Sequence, residues 1–150
     1  MSTVDPINAT IDDSINEAAL FHQGVEYFNT AEWFEAHEVW EDIWHLASGD
    51  KKMFYQGLIQ AAVTIEHVRR GNPRGVRAVH KTFLTKFKNI SGIYMGINVD
   101  ALQAEVTKFV QPILDLPAER YAPELSRGQD LPADLNKTPV IVLAYDPFKN

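Results

Sequence analysis

His37 and Glu41 are the residues whose types and spacing first suggest chemistry. They stand four apart in the run His37-Glu38-Val39-Trp40-Glu41-Asp42-Ile43-Trp44, and a helix brings side chains at that spacing onto one face. A neutral imidazole and a carboxylate one turn apart can give two ligands to a single metal ion. Glu38 points further round, where it would support the ligands or act as a general base on metal-bound water. The run has the form of half a His-Glu-x-x-His site, with Glu41 in place of the second histidine. The same spacing also arises from a plain hydrogen bond between the two side chains, so the surroundings must decide.

The element that carries this pair is the second of about five expected helices. Asn29 offers an N-cap and Glu32, three residues on, completes a capping box. The helix then runs to about Ala47 and stops at Ser48-Gly49. Trp33, Ala36, Trp40, Ile43, Trp44 and Ala47 recur at helical spacing as a wide aromatic stripe, with His37 and Glu41 at its edge. The third helix, capped by Asp50 and ended by Arg69-Arg70-Gly71, has no charged residue from Met53 to Ile65. Apolar side chains on every side mark it as the central helix. Gly57 and Ala61, one turn apart, would let a neighbouring helix approach closely.

That apolar surface is interrupted by Gln56, Gln60 and His67 on one stripe. Buried amides and imidazoles left unpaired cost about 1–3 kcal/mol each, so polar groups must face them. A short connection makes the second and third helices antiparallel neighbours, and the inward polar groups of the second are His37 and Glu41. The expectation is one buried polar cluster of His37, Glu41, Gln56, Gln60 and His67. It is either a closed hydrogen-bond network that fixes helix register, or a metal site. The metal reading has His37, Glu41 and His67 as ligands, Gln60 or Glu38 in support and water completing the coordination. The mixed nitrogen and oxygen donors suit one divalent ion (Zn, Mn, Fe or Ni) without choosing among them.

The remaining chain frames this centre. Residues 1–13 are expected to be a flexible arm, 14–115 the helical domain and 116–150 an extended tail packed on the domain or on a partner subunit. The first helix is expected from about Ser14 to Phe28. The fourth is capped by Asn72-Pro73 and is expected to end near Ser91-Gly92, and the fifth begins near Asn98. The tail holds five of the eight prolines. Its segment Pro139 to Tyr145 reads as a short extended piece that lies across the helices or pairs with its copy. The fold class is therefore all-α, a single bundle of about five helices with an irregular, proline-rich C-terminal tail.

Composition narrows the function classes. With no cysteine, disulfides, thiolate zinc sites and cysteine nucleophiles are excluded. No apolar run is long enough to span a bilayer, no signal-peptide pattern opens the chain, and a cytoplasmic location is expected. Phosphate loops, nucleophile elbows and dinucleotide fingerprints are missing too. Charge is unevenly spread. Residues 1–50 hold eleven acids and no Lys or Arg, while the rest holds nine acids against fourteen bases, so the parts carry −11 and +5. That asymmetry, with three tryptophans, leads us to expect a homo-oligomer. Arg70, Arg74, Arg77, Lys81 and Lys88 share one side, read as a solvated face rather than a phosphate or nucleic-acid contact. His22 and His45 are expected at the surface or a helix edge, and His80 beside the inner face of the fourth helix.

Two motifs in order carry a family resemblance. Phe34-Glu35-Ala36-His37-Glu38-Val39-Trp40-Glu41-Asp42-Ile43-Trp44 and Phe54-Tyr55-Gln56-Gly57-Leu58-Ile59-Gln60-Ala61-Ala62, followed by His67 and Gly71-Asn72-Pro73-Arg74-Gly75, resemble domain of unknown function 309. The resemblance covers roughly Phe21 to Phe87. It implies an all-α fold and a His-x-x-x-Glu-x-x-Trp/Tyr signature, here His37, Glu41 and Trp44, proposed to bind metal. It implies no established activity. Gly24, Tyr27, Ala31, Phe34 and Ala36 are also similar to positions of one tetratricopeptide helix pair, although such arrays need about three copies. Two classes thus stand: a metal-binding domain, with metal-dependent hydrolysis as its expected use, or a non-enzymatic interaction and assembly module with a structural cluster.

Overall fold

The computed structural model describes residues 15–149; the arm expected over 1–13 lies outside them. The elements in order are α1 (Glu17–Asn29), α2 (Trp33–Trp44), α3 (Gly49–Arg69), α4 (Pro73–Phe83), β1 (Ile93–Tyr94), β2 (Ile97–Asn98) and α5 (Val99–Leu114). Two 3-10 turns follow, Ala118–Tyr121 and Pro123–Leu125. The fold is all-α but for the two-residue strands, whose antiparallel pairing sets Ile93 opposite Asn98 and Tyr94 opposite Ile97. Among the described residues no helix is long and apolar enough to cross a membrane.

As its apolar surface requires, α3 is central. It packs on α2 along one side and on α4 along another, and Phe54, Tyr55, Leu58, Ala61, Ala62 and Ile65 are fully buried. The main core joins them to Phe21, Phe28, Trp40 and Ile43 from the α1–α2 hairpin. A smaller cluster of Val68, Val76, Val110 and Ile113 sits between α3, α4 and α5. The neighbour that comes close at Gly57 is not a helix. A Cβ there would lie 2.2 Å from the Phe87 ring, which belongs to the turns after α4.

Four expected boundaries shift, each for a local reason. Asn16 caps α1 by accepting from the Ala19 N–H, and the helix begins at Glu17. Asn29 does not cap α2. It ends α1, and its carboxamide grips the tail, donating to the Ile141 carbonyl (2.8 Å) and accepting from the Ile141 N–H (2.7 Å). The chain instead reverses through Ala31 at a φ of 64°, and Glu32 takes the Thr30 hydroxyl rather than an Asn29 amide. Ser48 precedes α3, leaving Asp50 in its first turn, where a carboxylate favours the helix dipole. The fourth helix ends at Phe83, well short of Ser91. Thr82 and Thr85 hydroxyls there take up backbone carbonyls, a competition that loosens helical pairing. By contrast, Asn72 and Asn98 cap α4 and α5 as expected, each accepting an N–H at 3.0 Å.

The tail crosses the helices in extended form. Ile141 is buried in the main core, with Leu143 and Phe148 packed on it. The Ala144 N–H reaches the Gly96 carbonyl of the β-hairpin at 2.8 Å. His22 holds the far end, its Nε2 3.0 Å from Asp146.

Candidate functional site

The half-buried residues of α3 and its C-cap are Lys52, Met53, Gln56, Gln60, Val63, His67 and Arg70. Their spacing of three and four defines one lateral stripe. On α2, His37, Glu41 and Trp44 are half-buried at the same spacing. Both ends of the two stripes touch. Lys52 Nζ lies 4.5 Å from the Trp44 ring centre, and the Arg70 guanidinium 5.9 Å from that of Phe34. The stripes therefore border one α2–α3 seam that solvent reaches, rather than a sealed cluster. Trp44 Nε1 and Gln60 Oε1 are buried without hydrogen-bond partners, so the seam holds both an orphan donor and an orphan acceptor.

Within the seam His37 and Glu41 meet. His37 Nε2 is 3.0 Å from Glu41 Oε2, with the side chains 24% and 43% exposed. The other ring nitrogen, Nδ1, lies 3.0 Å from the Phe34 carbonyl. A carbonyl only accepts, so Nδ1 carries a proton and Nε2 is the nitrogen aimed at the carboxylate. Two states satisfy this geometry. A doubly protonated ring donates to both oxygens, or a neutral ring and the carboxylate share a cation. For bonds of about 2.1 Å, a 3.0 Å separation corresponds to a ligand–metal–ligand angle of about 90°. His45, one turn further along, places Nε2 3.7 Å from the other Glu41 oxygen, Oε1.

His67 has a different arrangement. Asn72 Oδ1 is committed to the Gly75 N–H, which orients the amide so that its Nδ2 donates to His67 Nδ1 at 3.2 Å. The remaining proton is then on Nε2, and the ring offers the seam a donor rather than a lone pair. Burial first, and the Arg70 guanidinium second, hold this imidazole below its ordinary value against a pull from Glu66. It is thereby kept neutral. No hydrogen bond or ion pair among the described residues joins His67, Gln56 or Gln60 to His37 or Glu41. Glu38 is exposed on the outer flank. Nor do three His, Asp or Glu side chains among the described residues converge at metal-ligand spacing. Thus the structure brings together His37 and Glu41, with His45 nearby. Gln56, Gln60 and His67 lie on the facing stripe.

A second polar group escaped sequence reasoning. Glu17 accepts from Lys51 Nζ at 3.0 Å and from the Tyr55 hydroxyl at 2.7 Å. Lys51 is only 5% exposed and Tyr55 fully buried. Burial, reinforced by the Glu17 charge, raises the Tyr55 phenol well above its usual value. The available signal was Tyr55 itself, because a tyrosine on so apolar a helix needs a partner for its hydroxyl. The identity of that partner depended on how α1 docks.

Both helices of this seam fall within a stretch that is similar to a known family. Residues 21–79 match the family described as Domain of unknown function (DUF309). The DUF309 span takes in α1 from Phe21, all of α2 and α3, and α4 as far as Val79, so both sides of the seam lie within it. A similar protein is an uncharacterized protein of Aquifex aeolicus (strain VF5), 30% identical over 110 residues. The match covers 73% of this chain but 32% of that protein, so the chain spans about a third of its relative's length.

Proposed function

We propose that the α2–α3 seam binds one divalent metal ion through His37 Nε2 and the Glu41 carboxylate. The observation that supports it most is the anchoring of His37 Nδ1 on the Phe34 carbonyl. Metal-binding histidines commonly fix the second ring nitrogen this way, which sets the tautomer and aims the first at the ion. The partly exposed site leaves positions open to water, and His45 is near enough to add a third ligand by a side-chain rotation. Gln60 Oε1, buried without a partner, and the His67 N–H line the other wall, where they suit bound water better than direct ligation. The donors fit Zn, Mn, Fe or Ni. No reaction is assigned, since among the described residues no hydrogen bond or ion pair joins Glu38, expected as a base, to the pair.

A second reading is favoured by the hydrogen-bond length of the His37–Glu41 contact. In it the pair is a charged brace on α2, and the domain is an interaction module. Calorimetric titration of untagged protein with each metal separates the two. Binding near one equivalent, weakened at least about tenfold in His37→Ala and Glu41→Gln with helix content retained, supports the metal site. Absence of binding, or equal binding by the variants, supports the brace.

A further inference from the structure

The longest stretch of the chain without an acidic residue begins in the last turn of α3. Between Glu66 and Asp100 there is no acidic residue, while Arg69, Arg70, Arg74, Arg77, Lys81, Lys86 and Lys88 all fall there. Arg69 and Arg70 are spent on Glu66, at 2.6 and 3.2 Å. Arg74, Arg77 and Lys81 are exposed, and among the described residues no carboxylate pairs with them. Their spacing along α4 is i, i+3 and i+7, so all three lie on one helix side. Like charges one turn apart repel, and nothing on α4 itself offsets this.

These cations line a cleft instead of a convex face. Arg74, Arg77, Ala78 and Lys81 form one wall, and Tyr121 and Pro123 from the 3-10 turns form the other, around about 480 Å³. That volume is within the usual range for small-molecule sites. The far wall is braced. The Tyr121 hydroxyl donates to the Ile113 carbonyl of α5, and Gln129 and Arg120 hold the turns together through paired hydrogen bonds. The Arg77 guanidinium stacks over the Tyr121 ring, 4.7 Å from its centre, which pre-orients it. Glu119 and Glu124 flank the turns, but neither lines the cleft.

We infer that this cleft binds a small oligophosphate, free or as the phosphate chain of a nucleotide, through Arg74, Arg77 and Lys81. A single phosphate reaches one or two of the three cations. A chain of phosphates reaches them all, and a guanidinium held by an aromatic ring is suited to phosphate oxygens. No residue of the His37–Glu41 site takes part.

Inorganic triphosphate, ATP and a single-stranded oligonucleotide would be titrated into metal-free protein by calorimetry at two salt concentrations. Triphosphate is expected to bind with one-to-one stoichiometry and to weaken with salt. Arg74→Ala and Lys81→Ala should each weaken it about tenfold or more. Lys88→Glu, outside the cleft, and His37→Ala should leave it unchanged. Equal binding of ATP and triphosphate supports a free oligophosphate, and tighter ATP binding supports a nucleotide. Loss of triphosphate binding in Lys88→Glu equal to that in Lys81→Ala would mean a diffuse field and overturn the site. Binding of the oligonucleotide alone, or of nothing, would overturn it as well.

Discussion

Alanine is a better helix former than glycine by about 0.5–1 kcal/mol, so propensity alone says that Gly24→Ala should stabilise α1. Packing says the reverse. A Cβ at Gly24 would lie 2.1 Å from Trp40 Nε1 and 2.4 Å from Cε2. Ordinary contact begins near 3.4 Å, so the indole would have to retreat by about 1.3 Å. Trp40 is fully buried and its N–H donates to the Phe21 carbonyl at 3.3 Å. Staying in place costs roughly 1–3 kcal/mol of overpacking. Moving away instead strands a buried donor at about 1–3 kcal/mol, and both penalties are partly incurred. After subtracting the helical gain, a net loss of about 2 kcal/mol is expected. Two turns of chain away, Ala31 sits exposed at a φ of 64°, which costs a non-glycine residue about 1–2 kcal/mol. Ala31→Gly should therefore stabilise by roughly 0.5–1 kcal/mol after its unfolded-state entropy is counted. Urea unfolding followed by tryptophan fluorescence measures both. A Gly24→Ala midpoint equal to or above the wild type refutes the close α1–α2 approach on which the position of α2 depends.

Other outcomes follow from the same contacts. His67 and His80 are both held below their ordinary value of 6.5, chiefly by burial. The unfolded chain therefore protonates first, and stability should be full above about pH 6.5 and fall as the pH drops below it. His80 Nε2 also contacts the Thr107 hydroxyl at 2.8 Å. Urea midpoints between pH 7.5 and 5.5 should decline in the wild type and decline less in His80→Gln; identical slopes would contradict this. Asn29→Ala should cost about 1–3 kcal/mol by stripping both partners from the Ile141 backbone. Hydrogen exchange at the Ile141 amide should then speed up, and an unchanged rate would show that the tail is held elsewhere.

Local chemistry set most of the elements. Asn72-Pro73 and Asn98 announce helix starts because their side chains satisfy N–H groups only a turn away, and the uncharged run of α3 could be stable only at the centre. The His37–Glu41 contact was legible for the same reason, since one helical turn guarantees it. What joined across distance was not legible. Asn29 has the residue type of a cap, yet it serves the tail at Ile141, a choice fixed by where the chain returns 112 positions later. Glu17 meets Lys51 and Tyr55 only because the fold brings the start of α1 beside the start of α3. The expected polar cluster shows the division well. Sequence spacing put its members on two stripes, and helix pairing set those stripes side by side. Only the tertiary structure, through the Asn72 cap, decided that His67 offers a proton there and not a lone pair.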